Sequence, residues 1–176
     1  MKKDQLVIRP AEATNYLLRH ANQGDIEKLR VWKNRHKHTF FHQQDISPEQ
    51  QKAWYAGFAA RNNDFIFMIV DLLAAGPVEV GCLGFRDLGD RVDIYNVMRG
   101  EPRREGGVSI LEAMSLFVSY IAANFPKPIT CLVLKNNPAN DWYQKCGFFR
   151  KEERDDCYLL QVDLDKIGKR AILVQS

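Results

Sequence analysis

Arg99-Gly100-Glu101-Pro102-Arg103-Arg104-Glu105-Gly106-Gly107 breaks the texture of the chain. Before it, Arg91 to Met98 alternates and reads as a strand. After it, Leu111, Met114, Val118 and Ile121 recur at helical spacing as far as Asn124. A strand, a charged glycine-bearing loop and a long amphipathic helix therefore follow one another. The N-terminus of such a helix presents unpaired N–H groups and the positive end of the dipole. Gly106 and Gly107 remove side chains that would keep an anion away, and Arg99, Arg103 and Arg104 add cationic donors. By itself the loop reads equally well as a phosphate site or as a plain glycine turn.

Outward from this point the chain divides into short elements. Upstream, Phe65 to Val70 is an unbroken apolar run, bounded by polar residues and too short for a typical helix. Val78 to Phe85 and Arg91 to Met98 continue it as a meander, with turns at Gly76-Pro77 and Asp87 to Asp90. Asn15 to His20 is a first strand, and Leu6-Val7-Ile8 offers a short one before it. Two helices lie between, one from Ile26 to Asn34 and one opened by Ser47-Pro48-Glu49-Gln50, a capping box with proline at the first helical position. Downstream come a strand at Ile129 to Leu134, a short helix from Asn137-Pro138 closed by Gly147, and a hairpin of Phe148 to Glu153 with Cys157 to Val162. The order β-α-α-β-β-β-α-β-α-β-β implies an α/β domain around one mixed sheet.

Bulk properties narrow the class. The chain has 176 residues, 45% hydrophobic and 27% charged, as expected of one folded domain and not of a disordered chain. The expected organisation is a single domain over 1–176, with 1–14 as an N-terminal extension and 164–176 as a tail of open assignment. No apolar run reaches the ~18 residues of a membrane span, and no signal-like core follows Met1. Cys82, Cys131, Cys146 and Cys157 form no Cys-x-x-Cys pair, so reduced thiols and a cytoplasmic setting are expected. Net charge is +3. The basic cluster Lys28, Arg30, Lys33, Arg35 and Lys37 reads as a solvated helix face and lacks a nucleic-acid motif. His36, His38 and His42 lack zinc spacing, so no metal is expected. Cys146 reads as a small buried apolar residue.

Two segments resemble a known family. Arg104-Glu105-Gly106-Gly107-Val108-Ser109 is similar to the Gln/Arg-x-x-Gly-x-Gly/Ala loop of the GNAT superfamily of acyl-CoA N-acyltransferases, with Ser109 in place of Gly or Ala. Asn136 to Phe148 resembles the Asn-x-x-Ala-x-x-x-Tyr-x-Lys-x-Gly-Phe segment that follows a strand in that family. Leu29 to Asn34, Phe40-Phe41, Ile46 to Glu49 and Trp54-Tyr55 resemble the subgroup holding amino-sugar and ribosomal-protein N-terminal acetyltransferases. The resemblance covers roughly residues 15 to 163. It implies a GNAT-like mixed, largely antiparallel central sheet flanked by about four helices.

The resemblance also implies chemistry. Acetyl-CoA is the implied co-substrate, with pantetheine between splayed strands 91–98 and 129–135. Residues 104–109 (Arg104, Glu105, Gly106, Gly107, Val108, Ser109) bind its pyrophosphate, Asn136 and Ala139 line the pantetheine, and backbone groups at Val97, Met98 and Arg99 polarise the thioester carbonyl. Tyr143 protonates the leaving thiolate. Strand alternation puts Asp93, Tyr95 and Val97 on one face, and Asp93 resembles the acidic residue that works through water in many of these enzymes; solvent alone is the other option for the base. Trp32, Asn34, Phe40 and Phe41 are the expected acceptor-side residues. The expected acceptor is a small primary amine, an amino sugar or nucleotide-linked amino sugar ahead of a peptide N-terminus. A catalytically silent acyl-CoA sensor is the competing reading. No nucleic acid or membrane partner is expected, and oligomeric state stays open, a homodimer included.

Overall fold

A computed structural model describes residues 5–73 and 75–175. Along the chain run β1 (Val7–Pro10), β2 (Tyr16–His20), α1 (Ile26–Arg35), α2 (Pro48–Ala60), β3 (Asp64–Asp71), β4 (Val78–Asp87) and β5 (Val92–Arg99). Then follow α3 (Ile110–Asn124), β6 (Ile129–Leu134), α4 (Asn140–Lys145), β7 (Phe148–Glu153), β8 (Cys157–Val162) and β9 (Ile172–Gln175). Every strand among the described residues joins one sheet, ordered β7-β8-β6-β5-β4-β3-β2-β1-β9. All pairings are antiparallel except β5 with β6, which the α3 crossover makes parallel. The mixed, largely antiparallel sheet flanked by four α-helices is the expected architecture.

The sheet has a core on each face. On one side α3 lays Met114, Phe117, Val118 and Ile121, all fully buried, against Phe67, Phe85 and Ile94. On the other side α1 and α2 cover Met68, Cys82 and Met98 with Leu29, Trp32 and Phe58. The capping boxes explain where the helices begin. Ser47 accepts the Gln50 N–H while Gln50 accepts the Ser47 N–H, and Ser109 with Glu112 does the same for α3.

The two chain ends depart from the expectation. Residues 7–10 and 172–175 are strands β1 and β9, paired with each other, and β1 also pairs with β2. The described part of 1–14 is thus no extension, and the tail closes one edge of the sheet; residues 1–4 and 176 lie outside the described residues. β1 overlaps the short strand that Leu6-Val7-Ile8 offered, whereas the four residues of β9 carry too little alternation to be read from sequence.

Candidate active site

The sheet opens at one place. β5 and β6 pair only at Val92–Ile129, Asp93–Thr130 and Ile94–Cys131, although β5 runs on to Arg99 and β6 to Leu134. Beyond Ile94 the edge of β5 that faces β6 has no strand partner, so its backbone groups are available to a ligand. Just there β5 also carries a bulge. Gly84 faces Tyr95 and Cys82 faces Met98, leaving Asn96 and Val97 opposite the single residue Leu83. Asn96 takes the left-handed conformation, φ 49°, which a non-glycine residue adopts at a cost. Its carbonyl accepts from the Cys82 thiol at 3.2 Å, and its side-chain oxygen accepts from Lys33 Nζ at 3.0 Å.

The bulge corrects the strand alternation. Asp93, Tyr95 and Val97 were expected on one face. With one extra residue, Val97 packs with Val92 and Ile94 on the α3 side, while Tyr95 and Met98 pack on the α1–α2 side. Nothing in Tyr95-Asn96-Val97 marks the insertion, because neither glycine nor proline signals it.

Two connected cavities fill the opening. One of about 270 Å³ runs along Val97, Met98 and Arg99 past Ile110 to Ala139 and Tyr143. Another of about 300 Å³ continues from Tyr143 and Val97 to Asp93, Phe40, Phe41 and His42. Thr39, Val97, Asn137 and Tyr143 belong to both, so Tyr143 stands at their junction. Its ring is held edge-on by Trp142 and Phe148 at 5.0 and 5.4 Å. Burial first, then the adjacent Cys131 thiol, push its phenol well above the usual value. The phenol is therefore held in its protonated form, able to donate. Asp93 lies in the second cavity, where burial raises its carboxyl against the opposing pull of Arg91, Arg86 and Thr130.

The 104–109 loop sits at the N-terminus of α3, but its groups are not uniformly free. Asp71, fully buried at the end of β3, accepts the Val108 N–H at 2.8 Å. Glu112 accepts the Ser109 N–H at 2.8 Å. Val108 and Ser109 thus correct the expectation, because both N–H groups are engaged within the chain. The hydroxyl at position 109 serves as the helix cap, which accounts for serine there. Arg99 and Arg103 donate to the Val108 and Gly107 carbonyls at 2.6 and 2.9 Å, bracing the loop. A Cβ on Gly107 would stand 2.6 Å from Asp71 Oδ2, so this glycine answers a close approach by protein.

Donors nonetheless remain. Arg104 Nε lies 3.5 Å from Asp71 Oδ2 without hydrogen-bond geometry, and Arg104 Nε and Nη2 are buried with no hydrogen-bond partner among the described residues. The Ile110 and Leu111 N–H groups likewise have no protein acceptor among them. Orphaned guanidinium and amide donors at a helix N-terminus fit a pyrophosphate. Glu105 and Gly106 are exposed beside them.

On the acceptor side the structure keeps half of the expected residues. Phe40 and Phe41 line the second cavity. Trp32 does not: it is 1% exposed, its Nε1 donates to Glu101 at 2.8 Å, and a Cβ on Gly100 would meet its ring at 2.0 Å. Asn34 also turns to structure, clamping Ile46 by donating to its carbonyl at 3.0 Å and accepting its N–H at 2.9 Å. Asn136 is exposed and outside both cavities; its neighbour Asn137 lines them and donates to the Thr39 carbonyl at 3.1 Å. Sequence reasoning missed Asp71, Thr39 and Lys33. The first had a signal, since a carboxylate ending an apolar strand requires a partner. Cys146 is buried, as expected, and burial pushes its thiol up to about 12. Among the described residues no group of three His, Cys, Asp or Glu could hold a metal ion.

Comparison with known proteins agrees with this geometry. Residues 15–149 match the model of the acetyltransferase (GNAT) domain. A domain from Methanocaldococcus jannaschii superposes with a TM-score of 0.73 at 19% identity, covering 86% of this chain and 100% of that one. Apo FdhC, a nucleotide-linked sugar GNAT, gives 0.72 at 14%, covering 90% and 92%. Spermidine N-acetyltransferase from Vibrio cholerae, solved with CoA and spermine, gives 0.64 at 15%, covering 92% and 96%. At such identities the likeness speaks to the fold alone. No curated protein matches the chain.

Proposed function

The chain belongs to the GNAT acetyltransferase family, and from that premise we propose that it moves an acetyl group from acetyl-CoA to a small primary amine within one ternary complex. The observation that carries the proposal is the parting of β5 and β6 beyond Ile94, with Tyr143 at the junction of the two cavities it creates.

Acetyl-CoA supplies the activated thioester when bound. The orphaned Arg104 donors and the first N–H groups of α3 hold its pyrophosphate. Ala139, Asn137 and the Val97–Arg99 edge of β5 line the pantetheine. Unpaired β5 backbone donors beside the bulge polarise the carbonyl, and such preorganised donors are worth about 3 kcal/mol each. Tyr143 gives its proton to the departing sulfur as the amine attacks. Asp93, with its raised carboxyl, accepts the amine proton through water, and solvent replaces it where the acceptor arrives neutral. The acceptor enters along Phe40 and Phe41. An amino sugar, free or nucleotide-linked, suits this mixed aromatic and polar wall better than a peptide N-terminus does.

Thermal denaturation with and without acetyl-CoA, followed by an amine panel read as free thiol, tests the proposal. A ligand that binds only the native state must raise Tm. We expect a shift at sub-millimolar acetyl-CoA and thiol release with at least one amine. No shift at millimolar acetyl-CoA would sink the assignment, whereas a shift without turnover on any amine would favour a silent sensor.

A further inference from the structure

Lys33 is the member of the basic cluster that the structure leaves unexplained. Its neighbours are accounted for. Lys28 pairs with Glu79 at 2.8 Å, Arg30 with Glu27 at 2.6 Å and Lys37 with Asp45 at 2.9 Å, and Arg35 donates to the Gly100 carbonyl at 2.8 Å. Lys33 has no carboxylate in ion-pair range among the described residues. Its ammonium donates to Asn96 Oδ1 at 3.0 Å and lies 5.3 Å from the Phe40 ring centre. An ammonium has three donors, so two are left. Burial pulls its pKa down, opposed by the neighbouring Cys82 thiol.

Its position gives this meaning. Lys33, His42 and Asn96 line both the acceptor-side cavity and a second, largely apolar one of about 280 Å³ between α1 and α2. The α1–α2 cavity has no carboxylate in its wall, and the acceptor-side cavity has only Asp93. A polycationic amine entering here meets a half-buried cation with one half-buried carboxyl, Asp93, to balance it. An anion entering here meets an ammonium whose desolvation has already been incurred on folding, which is the condition under which a charge-assisted bond contributes most.

We propose that the acceptor amine carries an anionic group, carboxylate or phosphate, and that Lys33 pairs with that group while the amine lies toward Val97 and Tyr143. The inference rests on the acetyltransferase reading above and names its substrate class. It also makes Lys33 a specificity-determining residue that selects against polyamines.

Matched acceptors test it: glucosamine against glucosamine 6-phosphate for the phosphate, and serine methyl ester against serine for the carboxylate, with spermidine as the polycation. Wild-type kcat/KM should favour the anionic member of one pair at least tenfold, and that pair names the anion. Spermidine should be the poorest acceptor. Lys33→Gln should reduce the preference about tenfold, equivalent to roughly 1.4 kcal/mol, and Lys33→Arg should keep most of it. An unchanged Tm shift with acetyl-CoA verifies that each variant is folded. A wild type that acetylates amines without preferring the anionic member of either pair overturns the proposal while leaving the acetyltransferase reading intact. So does a preference that survives in Lys33→Gln. If no amine is turned over, calorimetric titration of the same pairs into the CoA-bound protein gives the same ratio, and equal affinities within both pairs overturn it.

Discussion

At the scale of single residues, Tyr143 is buried by packing and carries the proposed acid chemistry. It is 6% exposed, yet both cavities reach it. Its burial and the Cys131 thiol keep the phenol protonated far above neutral pH, so no pH in the working range removes the donor. Tyr143→Phe keeps the ring between Trp142 and Phe148 and deletes only the hydroxyl. The expected outcome is a fall in kcat of about 100- to 10,000-fold, less whatever water recovers, with acetyl-CoA affinity within a few-fold. Both quantities must be measured on one folded preparation, and wild-type turnover in the variant removes Tyr143 from the mechanism. The residue was legible in sequence because its segment is local: Ala139 caps the short helix that carries Tyr143, Gly147 turns the chain after it, and Phe148 starts the next strand. Trp32 and Asn34 were misassigned for the opposite reason. Their partners Gly100, Glu101 and Ile46 are far away in the chain, and an aromatic or an amide looks the same whether it faces a cavity or a neighbour. Asn136 was displaced by one residue because only the turn geometry, with Asn137 accepting the Ala139 N–H at 2.8 Å, decides which asparagine faces inward.

At the scale of elements, the strand–loop–helix unit works through a contact that the loop itself does not encode. Asp71 belongs to β3, not to the loop, yet its carboxylate takes the Val108 N–H and stands against Gly107 and Arg104. The loop conformation is thus specified partly by a strand two positions away in the sheet. Asp71→Ala should leave the Val108 N–H buried without its acceptor and remove the charge that faces the Arg104 guanidinium, at a cost of roughly 1–3 kcal/mol. Asp71→Asn keeps an acceptor oxygen but loses the charge facing Arg104, so it should lose less stability. If the carboxylate also positions the loop, acetyl-CoA affinity should fall in both variants while kcat at saturating acetyl-CoA stays near that of the wild type. Denaturant unfolding and a KM-against-kcat comparison check this, and a fall in kcat with unchanged KM would contradict it. The bulge in β5 teaches the same lesson. Alternation read from sequence assumes an unbroken ladder, and a single inserted residue sends Val97 to the face opposite Tyr95.

At the scale of the whole molecule, the strand order sets the β1–β9 edge apart from the parted strands β5 and β6. Helix periods and capping boxes made α2 and α3 legible, and the meander β3-β4-β5 followed from its turns; β1 was legible only as the apolar stretch Leu6-Val7-Ile8, and β9 was not, because it is four residues long and its described strand partner is β1. These two strands form the sheet edge farthest from β7, whereas the parted pair β5 and β6 lies four and five strands inward from β1. β9 is held by its pairing with β1, since Leu173 and Val174 are 53% and 42% exposed. The segment before it is anchored differently: Arg170 donates to Glu12 at 2.6 Å and its N–H donates to Ser119 at 2.9 Å. Ending the chain at Ala171 therefore removes β9 and spares that anchor. The ladder bonds lost are few, and each contributes about 1 kcal/mol or less at an exposed edge, so the loss should be modest, about 1–3 kcal/mol. The β1 edge then opens to solvent or to another copy. If the sheet divides the two functions as its order implies, the shortened chain should melt earlier, yet acetyl-CoA should raise its Tm by the same increment as in the wild type. Paired melting scans at several acetyl-CoA concentrations measure both numbers together. An equal increment on a lower baseline is the expected result, and a diminished increment would show that the far edge holds the parted strands in register.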